Sequence, residues 1–482
     1  MSDRTTTAVV LGGSLAGLLA ARALASFADR VLVVERDALP GGPEPRRGLP
    51  QARHVHQLWS GGARALEQLV PGVTARLRAA GVTRLPVTTD MVALSPYGWY
   101  RRWEESAFVL PSSRDLLDWV VRSEVLADGR IELLERTEAV GLSGTDTGVT
   151  GVRLREHPGG PGSDGGAGRK RPGAERTLSA DLVVDATGRG SRAPHWLTSL
   201  GLPAPERREV DSGIAYATRV FRAPEGARGG FPIVNVQGDP RGGRRPGRGG
   251  VLMPVEDGKW MITLYGSRGG EPTADAGDFA RYARDELAHP VIAELMTNAE
   301  PLGEEVAFTR TTANQRHFYE RMPVWPENFV VLGDALCALN PVYGHGMSVA
   351  AQEAWKVRDV IERQGGDLGT PGLARLLQRA VGRAARAAWD LSTGTDVFYP
   401  GATDGGPTLR ERVAAAYVGR LLYTATGNGR IARRVTDVTS LERGVEVLLA
   451  PSVVLAAVVG PLKPALSGPP LTAEERKAAG LL

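Results

Sequence analysis

Three short segments hold residue types whose spacing could do chemistry. Gly12-Gly13-Ser14-Leu15-Ala16-Gly17 follows an apolar run at 8–11 and opens a stretch with apolar residues at helical spacing. It reads as G-x-G-x-x-G with Ser14 at the second glycine. Gly12 permits a tight turn and Gly17 lets helix and strand approach. The free N–H groups of the helix start, where Ser14, Leu15 and Ala16 lie, suit a pyrophosphate. Glu35 ends the next apolar run, eighteen residues beyond Gly17, and Arg36 follows it. An acid at that place takes a ribose hydroxyl pair. The second segment, "DLVVDATGRGSR", ends a buried run at Asp185 and turns at Gly188 and Gly190. Alone, it reads better as a polar strand end. The third, "NFVVLGDALCALNPVYGHGMSVAAQEA", sets Asp334 where a strand gives out. Pro341, Gly344 and Gly346 then shape a bend open to close backbone approach. A helix starting near Gly346 and Met347 points its positive end at the same place.

The elements that must position these groups are legible in outline. The first apolar run, the glycine turn, the helix and "VLVVE" make a βαβ unit, whose continuous apolar strands belong in a parallel sheet. Alternating segments with Gly turns at 131–156 and 213–266 predict β structure, and the chain beyond Ala351 is mostly of helical pattern. The predicted class is α/β: a Rossmann-type dinucleotide-binding domain, an inserted β-rich domain and a C-terminal helical region. The expected boundaries are 1–205 for the first part of the nucleotide domain, 206–310 for the insertion, 311–365 for the return segment and 366–482 for the helical tail. A Gly/Pro-dense segment at 157–178 is expected to be a mobile surface loop.

With 58 Lys+Arg against 54 Asp+Glu, the formal net charge is +4 over 482 residues. No basic stripe or nucleic-acid-reading module accompanies it, so nucleic acid is not an expected partner. A single cysteine, Cys337, excludes an internal disulfide and a cysteine metal cluster. Its expected place is as a small buried filler. His54 and His56 lack further ligands nearby, so no metal is expected. No apolar leader precedes the first strand and no apolar run reaches eighteen residues. A cytoplasmic protein without stable membrane insertion is the expectation. The run "VEVLLAPSVVLAAVVGPL" comes nearest, but Pro451 and Pro461 break it; of docking on the body and touching a membrane, docking is the expectation for these helices.

Together the three segments resemble those of FAD-dependent monooxygenases with the para-hydroxybenzoate hydroxylase fold. The resemblance implies that residues 12–17 and Glu35 hold the ADP half of FAD. It implies that the segment at Asp185 and Gly188 borders the flavin and NAD(P)H regions, and that Asp334 takes the ribityl chain. It sets Pro341, Gly344, Gly346, Met347 and Ser348 over the flavin ring, Arg114 of "SSRDLLDWVVR" against FAD, and the backbone near Ala139 and Val140 against adenine. "LPQARHVHQLWSGGARALEQLVPG" with "GLPAPERREV" is further similar to bacterial squalene-epoxidase-like enzymes, including polyether-antibiotic epoxidases of the lasalocid and monensin type. That resemblance implies a place for Arg53 and His54 beside the cofactor or the substrate entrance, with a purely structural loop role as the alternative. The resemblance covers about residues 5–400.

Its functional implication is epoxidation of a large lipophilic polyene by O2, through a C4a-hydroperoxyflavin. The cofactor then carries the difficult chemistry and no catalytic side chain is required. Tyr216, Phe231, Met253 and Trp260, in the β-rich segment, are the expected substrate wall. NAD(P)H is the expected electron donor, direct or through a partner flavin reductase, because no second strand–glycine–helix motif is evident. An aromatic hydroxylase, or a non-oxygenating FAD reductase or cyclase, fits the same motifs. A halogenase is disfavoured, since the sequence lacks Trp-x-Trp-x-Ile-Pro.

Overall fold

Thr7–Leu11 is the central strand of a five-stranded parallel sheet, flanked by Leu182–Asp185 and Phe329–Val331 on one side and by Arg30–Val34 and Ile131–Leu134 on the other. In this computed structural model the described residues are 5–46, 48–104, 106–156, 174–241, 246–310 and 313–482. The register pairs Leu11 with both Val34 and Asp185, so the ends of three strands, with their following turns, converge on one edge. The strands are apolar along their length because both faces are covered; Ala8, Val9, Val10 and Leu11 are fully buried. Helices Leu15–Leu24, Arg114–Leu126 and Gly346–Arg363 pack together in this core. A three-stranded antiparallel sheet, Thr137–Gly144, Val149–Glu156 and Glu175–Ser179, packs against it.

Glu175–Ser179 corrects part of the expected loop at 157–178. Its backbone pairs with Val149–Glu156 despite a polar sequence, because it is an edge strand that need bury only one side. Residues 157–173 of that segment lie outside the described residues.

The second sheet has eight strands. Ala215–Arg222, Lys259–Gly266, Arg248–Val255 and Ile233–Val236 form its body, and Met91–Ser95 extends it by parallel pairing with Ile233–Val236. One face packs on helices Ala276–Asp285 and Val291–Met296 through Phe221, Phe231, Val234, Trp260, Ile262 and Leu264. The period of two then sends Tyr216, Thr218, Thr263 and Tyr265 to the other face.

The C-terminal region is helical, as its pattern predicts: Leu373–Asp396, Leu409–Gly427, Gly429–Thr439, Pro451–Val459 and Ala473–Ala478. Thr408 and Glu411 close a reciprocal capping box at the second of these. Asn428 ends that helix and caps the next, accepting from Arg430 N and Ile431 N. A bidentate Arg102–Glu475 pair, at 2.7 and 2.9 Å, ties the last helix back to the body.

Candidate functional site

The glycine turn is built as its spacing requires. Gly12 has φ +101°, and a Cβ there would sit 2.5 Å from the carbonyl oxygen of Ala186. A Cβ on Gly17 would sit 1.8 Å from the Gly12 carbonyl oxygen, so strand end and helix touch backbone to backbone. Leu15 is buried in the helix's first turn. That turn has no acidic residue, and Ser14 makes no side-chain cap. Instead the Ser14 hydroxyl accepts from Arg114 Nη2 at 3.1 Å. The N-terminal N–H groups thus remain directed at the cleft.

Glu35 stands beside this turn, accepting from Gly13 N at 2.8 Å and from Asp37 N at 2.9 Å. Arg46 lies against it: its guanidinium reaches Glu35 Oε2 at 3.2 Å, Asp118 Oδ2 at 3.1 Å and the Gly13 carbonyl at 3.2 Å. Arg114 and Arg122 also pair with Asp118, at 3.5 and 3.4 Å. Three guanidiniums therefore share two carboxylates at the positive end of a helix. The buried Nε atoms of Arg46 and Arg114 have no partner. A cluster with surplus positive charge and unspent donors suits a diphosphate. Arg46 and Asp118 were not among the expected residues. Arg46 sits in a Pro/Gly/Arg-rich loop with no pattern to mark it, but Asp118 lies one helical turn after Arg114, a spacing that could have flagged it.

The Asp334 turn meets the glycine turn directly: a Cβ on Gly333 would lie 2.9 Å from the Ala16 Cβ. Asp334 is exposed on the cleft wall, yet surrounding atoms crowd out enough water to raise its carboxyl above the usual range, against the pull of Arg189 and Arg114. Gly346 begins its helix beside this carboxylate, since a Cβ there would be 4.0 Å from Asp334 Oδ1. Gly344 is pressed on Gln57, and Ser348 Oγ accepts from Trp59 N at 3.0 Å, so the bend is seated on strand His56–Trp59. Met347 is buried. Beneath the turn, fully buried Glu353 accepts from Gly333 N at 2.6 Å.

A buried polar network fixes the bend from the other side. Asp396, fully buried, accepts from Asn314 Nδ2 and Asn340 Nδ2, both at 2.7 Å, and from Tyr343 OH at 2.6 Å. Asn340 in turn accepts from Tyr216 OH and caps Pro341–Tyr343. Asp396→Ala would leave these donors buried without an acceptor. We expect a loss of about 2–3 kcal/mol, read as a lower urea midpoint with unchanged slope.

Other expected residues are placed differently. Asp185 is fully buried, and its carboxylate is taken by Thr187 N at 2.9 Å, Thr187 Oγ1 at 2.6 Å and Ser191 Oγ at 2.5 Å. It organises its own turn rather than facing the cleft. Gly188, with φ +81°, opens the short helix beside the Asp334 turn. Arg53 is exposed and pairs with Glu305, and Arg36 is exposed and pairs with Asp37 at 3.6 Å. Val140 is buried in a strand whose start is tied to Glu35 by Thr137 N. Cys337 is buried, and burial pushes its thiol well above the usual range, as suits an inert filler.

A cavity of about 1560 Å³ opens between the bend, the second sheet and the C-terminal helices. His54, Trp59, Tyr216, Met253, Tyr343 and Leu421 are among its lining residues. His54 Nδ1 pairs with Thr218 Oγ1 at 2.8 Å, its buried Nε2 has no partner, and burial lowers its pKa to about 4. Phe231 and Trp260 do not line this cavity. Their rings lie 4.8 Å apart, tilted by 42°, on the helix-covered face of the sheet: Trp260 alternates with Met261 and Thr263 along its strand, and Phe231 lies just before strand Ile233–Val236. The C-terminal helices, for which docking on the body is the preferred expectation, supply much of the wall.

No protein-family model matches the chain. Protein Rv3254 of Mycobacterium tuberculosis is 33% identical over 404 residues, covering 82% of this chain and 81% of its own. The chain belongs to the Rv3254 family. Solved structures extend the likeness of this Rv3254 relative at the level of fold. The flavin-dependent brominase Bmp2 aligns with a TM-score of 0.63 at 15% identity, over 94% of this chain and 98% of its own. A flavoprotein/dehydrogenase from Cytophaga hutchinsonii gives 0.64 at 15%, over 94% and 96%. The probable FAD-dependent monooxygenase pqsL from Pseudomonas aeruginosa gives 0.57 at 16%, over 86% and 100%. The chain thus has the fold of flavin-dependent monooxygenases and halogenases, with a C-terminal helical region.

Proposed function

We propose that the protein is a flavin-dependent monooxygenase that epoxidises alkenes of a large lipophilic polyene of the polyether-precursor kind. One observation carries this: the arginine cradle and the Asp334 turn meet at one sheet edge, and the bend beside them walls a cavity of about 1560 Å³. Ligand pockets commonly span about 300–1,000 Å³, so there is room for a long substrate. When bound, FAD supplies the activation of O2 and the delivery of one oxygen atom. Arg46, Arg114 and the start of helix Leu15–Leu24 would hold its diphosphate, Glu35 its ribose and Asp334 its ribityl chain. Residues 341–346 would border the flavin, and the apolar wall would exclude water and align the alkene. The electrons come from NAD(P)H, directly or through a flavin reductase.

His54 favours a second reading. Burial keeps its imidazole neutral, and the free Nε2 lies in the cavity wall, where it could accept a phenol proton. The purified protein should take up FAD, and incubation under ¹⁸O2 with lasalocid-type and monensin-type polyene precursors should give products one labelled oxygen heavier. A labelled phenol product would favour the hydroxylase, and failure to bind FAD would sink both readings. Asp334→Ala should weaken FAD binding by about 1–3 kcal/mol, the worth of a hydrogen bond to a charged group. Flavin fluorescence titration measures this. Unchanged thermal unfolding of the FAD-free variant would show that only the ligand contact is lost.

A further inference from the structure

Helix Pro451–Val459 is apolar all round; Ser452 is its one polar residue. Such a helix is normally buried on every side. Here only Val453 and Ala457, one turn apart, are buried. Leu455, Val458 and Val459 are 66, 72 and 64% exposed, and flanking Leu449 and Leu462 are 66 and 70% exposed. Single exposed apolar side chains are ordinary, but a contiguous set marks an interaction surface.

Two observations select the occupant. The first is charge. Between residues 447 and 473 the one charged residue is Lys463. Exposed Arg420 donates to the carbonyls of Ala457 and Val458 at the helix end. The face is therefore edged by cations, and the nearest carboxylate before it in sequence is Glu446. The second is continuity: Val445, Leu448 and Leu449 also line the large cavity, so the exposed face runs into its wall. Among the described residues no helix is long and apolar enough to cross a membrane.

We propose that this face docks the protein peripherally on an anionic lipid surface, with helix Pro451–Val459 lying in the plane of the interface. The docking stands on the surface alone. That a lipophilic substrate then enters the cavity from the bilayer rests on the function proposed above.

Co-sedimentation of the purified protein with vesicles tests this independently of activity. Vesicles containing phosphatidylglycerol should bind it, and phosphatidylcholine vesicles should bind it more weakly. The triple variant Leu455→Asp/Val458→Asp/Leu462→Asp should lower the partition coefficient roughly tenfold or more, as loss of apolar insertion dictates. Lys463→Ser should lower binding to anionic vesicles about fivefold and leave neutral vesicles unaffected. Leu455, Val458 and Leu462 are exposed, so thermal unfolding of the triple variant should match the parent protein; Lys463 Nζ lies 5.1 Å from the Trp103 ring centroid, so binding by Lys463→Ser is read well below that variant's own melting temperature. No binding to either vesicle, or equal binding by the triple variant, would overturn the proposal. So would a dimer on gel filtration that the triple variant dissolves, since the occupant would then be a second copy of the chain.

Discussion

Gly17→Ala should abolish FAD uptake and destabilise the fold by roughly 3 kcal/mol or more, at the upper end of overpacking effects. The added methyl would lie 1.8 Å from the Gly12 carbonyl oxygen, far inside contact distance. Relief needs one of the two backbones to move, and neither is free. Gly12 donates to Val34 O at 2.8 Å, and a residue there already abuts the Ala186 carbonyl. The helix is held in turn by the buried side chains of Leu15, Leu18 and Leu19. Any shift that admits the methyl therefore opens the strand–helix junction and redirects the N–H groups that face the cleft. Gly129→Ala is the control, since a Cβ there meets nothing within 4 Å. It should leave both stability and flavin uptake within experimental error. Urea unfolding and flavin absorbance measure the pair. A Gly17→Ala protein that binds FAD normally would refute the proposed role of this turn.

That junction is the part of the site most legible in the sequence. A glycine turn between an apolar run and a helix-period segment admits few geometries, and the long gap to Asp334 is closed by parallel sheet topology. The arginine cradle was half legible. Arg114 opens a helix behind a capping serine, whereas Arg46 sits in a loop whose only visible property is its lack of pattern. Which face of a strand meets the cavity was not legible either. Phe231 and Trp260 look like pocket residues by type, but helices Ala276–Asp285 and Val291–Met296 cover their face. For Trp260 the signal lay in its companions: Thr263 alternates with it along one strand and pairs with Thr218 on the next, and the more polar side of an insertion that is apolar on the other is the side left for a ligand. The polar network at Asp396 joins residues far apart in the chain, and no local pattern announces it.

Glu353→Gln should flatten the pH dependence of stability between pH 4.5 and about 8. Glu353 is fully buried on helix Gly346–Arg363, where burial raises its carboxyl to about 8 from the ordinary 4.5, helped by nearby Asp334 and opposed by Gly333 N and Arg316. The folded value exceeds the unfolded one. The proton therefore stabilises the fold fully below pH 4.5, and that contribution is lost as pH rises through about 8. Between those values the parent protein should lose up to about 1.4 kcal/mol per pH unit relative to the variant. His54 and His345 pull oppositely, since burial lowers both to about 4 and so favours the fold above the ordinary 6.5. They are present in both proteins and cancel in the difference. Glutamine keeps an oxygen to accept from Gly333 N, so the turn that aims Asp334 survives the substitution. Ionised Glu353 would add a second negative charge behind Asp334, so FAD affinity of the parent should also fall across this window while that of the variant stays level. Urea unfolding and flavin titration at stepped pH give both curves. Parallel curves for the two proteins would show that Glu353 holds no proton in the folded state, and that the Gly333 turn rests on a buried carboxylate instead.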